Sequence, residues 1–247
     1  MITKLAGYPF WLRLVVVVTL GLFVINLFFF LAPAIAFFSS KDWPNAFGTL
    51  VASFIGAWFA FTFARYQRDQ ERIKKEVAAG NLALFILTQM YSETRQYQKE
   101  IVSPYRNKKD SWLNLHIGVH LNKNLSFNLD DISFVLEANP GVFADVILEE
   151  RRYLGLASLI DEHNELIVSQ VWPRLEAEGL KIGDSKLNAE IENIIGPSAV
   201  SMLKTTTSGI IQFTDENEKS LGAAFRSLRA VLKSIYPLHK FIDFKPT

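Results

Sequence analysis

The chain has 247 residues, with 26 Lys and Arg against 25 Asp and Glu, 20 phenylalanines and no cysteine. The absence of Cys excludes disulfides, thiolate metal sites, iron–sulfur ligation and Cys nucleophiles, and a formal charge of +1 argues against a surface built throughout for nucleic acid. Residues 1–64 hold only four charged side chains (Lys4, Arg13, Lys41, Asp42) and 12 of the 20 Phe, which leaves 51 − 4 = 47 charges for residues 65–247. That division predicts a membrane domain over 1–64 and a water-facing domain over 65–247.

From Leu14 to Phe38 no charge interrupts the chain. At about 1.5 Å per helical residue this run covers the roughly 30 Å hydrocarbon core of a bilayer, so it predicts a first span over 14–38. A second uncharged run predicts a span over 46–64, and the short segment between them predicts a tight hairpin. Tyr8, Trp11, Trp43 and Tyr66 fall where interfacial aromatic belts are expected. Ala34-Ile35-Ala36 has the form of a signal-peptide cleavage site, but the apolar run is longer than a signal core and two Phe follow it, so an uncleaved span is the expectation. Arg65, Arg68, Arg72, Lys74 and Lys75 follow the second span, whereas the turn holds Lys41 alone; this predicts both termini in the cytoplasm.

Within the second span, Gly48, Ala52, Gly56, Ala60 and Ala64 recur every fourth residue. Such a smooth face admits another helix backbone closely, either the first span of the same chain or a span of a second copy. Asn26 lies mid-span, where an unpaired amide is costly; it is expected to hydrogen-bond across the hairpin to Ser53 or a neighbour, or to face a polar path between copies. Pro33 is expected to kink the first span.

The helix is expected to continue past residue 65 until Pro104, with Arg65, Arg68, Arg72 and Lys75 on one face, placed either against anionic headgroups or in water beside Asp69, Glu71 and Glu76. Leu113, Leu115, Ile117, Val119 and Leu121 then alternate with polar residues, which predicts extended chain, as a small β-hairpin or a strap across helices. A short helix capped by Asn128 or Asp130 should end near Ala138. A helix over about 142–172 bends at Pro173, a short helix follows the loose segment 179–185, and a last long one runs from Gly196-Pro197 to Ile235. The fold class expected is mainly α: a transmembrane helical hairpin followed by an elongated cytoplasmic bundle, with the apolar tail after Tyr236 docked on it.

The residues offer little catalytic chemistry. His116 and His120 have helical metal-ligand spacing, but the alternation places them on extended chain with no third ligand nearby in sequence. His163 lies within Asp161-Glu162-His163-Asn164-Glu165, which reads as the wet surface of a long helix. Lys204-Thr205-Thr206-Thr207-Ser208-Gly209 lacks the glycines and preceding strand of a phosphate-binding loop and reads as a polar patch that bends the last helix. No enzyme, metal, cofactor or small-molecule substrate is expected. Candidate partner-binding groups are Arg106, Lys108 and Lys109 in a loop, and Arg226, Arg229 and Lys233 near the end of the last helix; each suits phosphates of nucleic acid or lipid, or is solvated.

Two spans in a hairpin, a helix leaving through Arg65-Tyr66-Gln67-Arg68 and an all-helical domain containing Ser133-Phe134-Val135-Leu136-Glu137 give a layout that resembles bacterial two-span membrane effectors of anti-phage defence, including those encoded with retrons. The resemblance covers the layout of the chain and rests on no diagnostic motif. It implies a toxin at the bacterial inner membrane, held inactive by a partner such as a reverse transcriptase with its DNA–RNA product, then released to damage the bilayer. The competing expectations are an anchor or scaffold that recruits a cytoplasmic partner, and a subunit of a larger membrane complex.

Overall fold

The computed structural model describes residues 18, 20–22, 24, 25, 43–108, 110–115, 117–180 and 188–244. The protein is mainly helical, and the chain divides into two compact units, Met1–Arg68 and Asp69–Thr247. In the first unit, residues 18, 20–22, 24 and 25 are helical and exposed. The remainder of the expected first span, with Asn26, Pro33 and the turn at Lys41 and Asp42, lies outside the described residues. Helix α1 covers Trp43–Tyr97 and so contributes to both units.

In the second unit α1 runs into a wide π-helical turn, Gln98–Val102, and stops before Pro104, whose missing N–H and ring cannot continue the ladder. A single helical turn, α2 (Ser111–Asn114), occupies the start of the segment expected to be extended. No strand occurs among the described residues, so of the two forms expected, a β-hairpin or a strap across helices, the segment takes that of a strap. The alternation is nevertheless real: Leu115, Leu121 and Phe127 are buried while Gly118, His120, Asn122 and Asn128 are exposed. The strap's backbone is served by helix side chains instead of a second strand. Glu93 accepts from the Asn122 N–H at 2.9 Å, and Asn164 donates to the Val119 carbonyl at 3.3 Å. Period two reports which side of an extended chain is buried, and the hydrogen-bond partner is a separate question.

Helix α3 (Ser133–Ala138) begins at Ile132 without a side-chain cap; Asn128 instead accepts from the Asp130 N–H, in the turn before the helix. The cap belongs to the next helix, α4 (Pro140–Leu166), where Asn139 accepts from the Val142 N–H at 3.1 Å and Pro140 takes the first turn. A second π-helical turn, Ile167–Val171, separates α4 from α5 (Trp172–Ala177), which carries Pro173 in its first turn. Proline lacks the donor that would close the preceding turn, and that turn is the one that widens. Helix α6 spans Asn188–Ile195, and α7 spans Pro197–Ile235, entered through Gly196 at φ 89°, a backbone setting that favours glycine.

The main core joins α1, α4 and α7 through Leu84, Leu87, Met90, Tyr153, Leu156, Ile160, Leu221, Phe225 and Leu228, all buried. A second core gathers Trp112, Leu166, Val171, Leu175, Ile195 and Leu203. At Gly80 an added Cβ would meet Leu232 at 2.7 Å, so glycine lets α1 and α7 approach. The tail after α7 docks. Asn81 donates to the Lys240 carbonyl and accepts from the Ile242 N–H, while the Phe244 ring meets Tyr91 and Phe225 edge-on at 5.2 and 5.7 Å.

Candidate functional site

The first candidate is the apolar part of α1. Among the described residues, Phe47–Val102 is the one helix long and apolar enough to cross a membrane; its most apolar 18-residue stretch has a mean hydropathy of 1.7, and none of that stretch is buried within the protein. Leu50, Phe54, Ile55, Phe59, Phe61 and Phe63 are exposed around it. Two of its hydroxyls are satisfied within the helix: Thr49 and Thr62 each donate to the carbonyl four residues back, Asn45 and Trp58, at 2.8 Å. Gly48, Ala52, Gly56 and Ala60 are exposed and Ala64 is half-buried. Among the described residues, nothing lies within 4 Å of a Cβ built on Gly48 or Gly56. Ser53 is exposed, and its expected partner Asn26 lies outside the described residues.

The basic residues that follow differ in setting. Arg65 and Arg68, in the first unit, are exposed. In the second unit Lys75 is exposed, and Arg72 stands at 3.8 and 3.9 Å from Asp69 and Glu76, loose contacts of the kind that exposed helix pairs make. The two candidate partner clusters are each divided by the fold. Arg106 pairs with Asp215, tying the loop after α1 to α7, whereas Lys108 rests over the Tyr105 ring at 4.5 Å and Lys109 lies outside the described residues. Arg229 donates to the Ile242 carbonyl at 3.0 Å and pairs with Asp243 at 3.1 Å, fastening the tail, whereas Arg226 and Lys233 stay exposed.

His116 lies outside the described residues. His120 meets Asp161 at 2.6 Å through Nδ1, and Lys123 pairs with the same carboxylate. Desolvation works to raise the Asp161 carboxyl, but hydrogen bonds from Lys123 and His120 outweigh it and hold the group below its ordinary range. No group of three His, Asp or Glu able to hold a metal occurs among the described residues. The stretch 161–165 is no uniform wet surface: Glu162 and Glu165 are exposed, but His163 and Asn164 are buried. His163 touches the Trp112 carbonyl through Nε2 at 3.4 Å, and burial pushes its pKa down, which keeps the ring neutral. The threonine run around residue 206 lies within α7, which continues through it as helix. The Thr206 hydroxyl bonds back to Met202 at 3.0 Å, and Thr206 and Thr207 are buried.

Two buried polar networks escaped the pattern-based reading. Glu149, 3% exposed, accepts from Arg152 at 2.7 Å and from Ser220 on α7 at 2.5 Å, while Asn217 donates to the Arg152 carbonyl at 3.1 Å. Glu93 accepts from Tyr153 at 2.5 Å as well as from Asn122, beside an open groove of about 500 Å³ lined also by Tyr97, Glu100 and His120. Burial, then the bond to Glu93, pushes the Tyr153 phenol far up, and burial does the same to Tyr97, so both stay protonated donors. A sequence signal existed. Glu149 and His163 continue the helical spacing of Val146, Tyr153, Ala157 and Ile160, so a polar side chain on that apolar stripe had to be buried. No protein-family model, no curated protein and no solved structure matches this chain.

Proposed function

We propose that this protein is a membrane-anchored, non-enzymatic effector. Residues 1–64 form a two-span hairpin in the bacterial inner membrane with both termini in the cytoplasm, and residues 65–247 form a cytoplasmic helical bundle. Release of the bundle by a partner lets the spans assemble and breach the bilayer. The observation that carries this reading is the apolar stretch of α1, unburied and bearing a small-residue face at Gly48 and Gly56. In lipid, small residues at this spacing let another helix backbone approach closely and pack against the face. The layout-level resemblance to retron-type defence effectors supports the class of trigger, a reverse transcriptase–nucleic acid partner. Arg65, Arg68 and Lys75 then lie at the headgroups.

The test is Gly56→Leu, which places a branched side chain on that face while keeping the span apolar. Induced without a partner, the wild-type protein depolarises the inner membrane and arrests growth, and the variant relieves both at equal level in the membrane. If neither protein is toxic, the anchor or scaffold function replaces the effector function. Topology has its own readout: a reporter active only in the cytoplasm works after Thr247, and one active only outside it works near Asp42. The reverse pattern overturns the proposal.

A further inference from the structure

The groove of about 500 Å³ beside Glu93 has the size of a small-molecule site, and it is lined from two directions. The end of α1 supplies Glu93 and Tyr97, the π-helical turn after it supplies Glu100 and Ile101, and the strap supplies residues 119–122. Widened turns of this kind are frequent at functional sites. Tyr97 is only 3% exposed, yet its hydroxyl bonds to no described residue. Nor is that hydroxyl walled in. The enclosed side-chain atoms without a partner belong to Thr94, Arg106, Trp172 and Thr207, so the Tyr97 hydroxyl reaches open space, and the space that Tyr97 lines is the groove. A buried polar group left unpaired is costly, and a ligand in the groove would satisfy it.

The charge of the lining selects the ligand. Glu93 takes the Asn122 N–H and the Tyr153 hydroxyl on Oε2, which leaves Oε1 without a described partner. Glu100 is exposed, and only the Gln96 amide reaches it, at 3.3 Å from each oxygen. No Lys or Arg lines the groove, and His120 turns Nδ1 to Asp161. Ile101 and Leu121, both buried, add an apolar floor. An ammonium group has three donors and no acceptor, which suits carboxylate and phenol lone pairs, and an alkyl stem gains by covering the floor. An anion would meet like charge, and the described residues include no group of three able to hold a metal. Glu93 and Glu100 stand seven residues apart, about 10 Å along a helix, so a chain with ammonium groups at both ends reaches both. We propose that this groove binds a free linear polyamine, with one ammonium at Glu93 and Tyr97 and another at Glu100. The site lies within the second unit and does not depend on the membrane reading.

The probe is spermidine, titrated calorimetrically into full-length protein in a neutral detergent at about 0.15 M salt, which screens exposed charges beyond about 8 Å. The wild type should bind a single molecule per chain with a Kd below about 1 mM. Octanedioate, an alkyl chain with the opposite charge at its ends, and spermidine acetylated at both ends should bind at least about tenfold more weakly. Glu100→Gln should weaken spermidine binding by about tenfold, and Tyr97→Phe, which keeps the ring, by at least about threefold. Glu165→Gln, which removes an exposed carboxylate on α4 outside the groove, should change Kd by less than about twofold. Glu100 fastens no other element, so its variant tests the site even if Tyr97→Phe loosens the helix. Failure to bind, equal affinity for octanedioate, or a Glu100→Gln effect no larger than that of Glu165→Gln would each overturn the proposal. A lysine-containing peptide that binds more tightly than spermidine would also overturn it, by assigning the groove to a protein side chain.

Discussion

Replacing Ser220 by alanine tests whether the carboxylate network between α4 and α7 holds the second unit together. The Ser220 hydroxyl donates to Glu149 at 2.5 Å, and the Glu149 side chain is 4% exposed, so water does not substitute for a lost donor. Arg152 is different: its side chain is 48% exposed and its pair with Glu149 is partly screened. A hydrogen bond to a buried charge is worth about 1.5–3 kcal/mol, and that is the expected cost of Ser220→Ala. For a unit of 179 residues (247 − 69 + 1), each kcal/mol moves Tm by about 2–4 °C, so the fall should be about 3–12 °C. Unfolding can be followed by far-UV circular dichroism and by the fluorescence of Trp112 and Trp172, which sit in or against the second core. In a Glu149→Leu background the hydroxyl has no charge to serve, and the same substitution should cost less than about 0.5 kcal/mol. An equal loss in both backgrounds, or none in either, refutes the network as a source of stability.

The neutral, buried His163 makes the second unit pH-sensitive. Its folded pKa lies below its unfolded value, so its contribution is full above the unfolded pKa of about 6.5 and is lost as pH falls below it, at up to about 1.4 kcal/mol per pH unit. Denaturant midpoints between pH 7.5 and 5 should fall in the wild type and flatten in His163→Gln; Asp161, whose folded pKa is lowered, loses its contribution only at more acid pH. Two glycines in helices should respond in opposite senses. Gly80→Val drives into Leu232 and should cost about 1–3 kcal/mol, whereas Gly155→Ala enters open space and should gain up to about 1 kcal/mol, both by denaturant titration.

Helix punctuation was legible in the sequence because it is local chemistry. Pro104 halts α1 and Gly196 and Pro197 open α7 through missing donors and fixed φ, neither of which needs a tertiary partner, whereas the cap expected from Asn128 or Asp130 on α3 is not made and Asn139 caps α4 instead. The mainly helical class and the apolar stretch of α1 follow from composition and period in the same way. The small-residue face was equally plain in sequence, and the structure adds that no described residue lies within 4 Å of a Cβ built on Gly48 or Gly56.

What the sequence left undetermined depends on long-range pairing. The alternation around Leu121 specified a buried side, but Glu93 and Asn164, distant in the chain, supply the bonds that make it a strap. Arg106 and Arg229 resemble their basic neighbours in sequence, and only Asp215, Asp243 and the Ile242 carbonyl commit them to fastening the fold. Glu149 and His163 sat in plain view on an apolar stripe. Whether a polar residue there is tolerated depends on what the facing helix or loop offers it, Ser220 in one case and the Trp112 carbonyl in the other. Local propensity decides where helices start and stop, whereas tertiary contacts decide which charges are bonded and which remain free to meet another molecule.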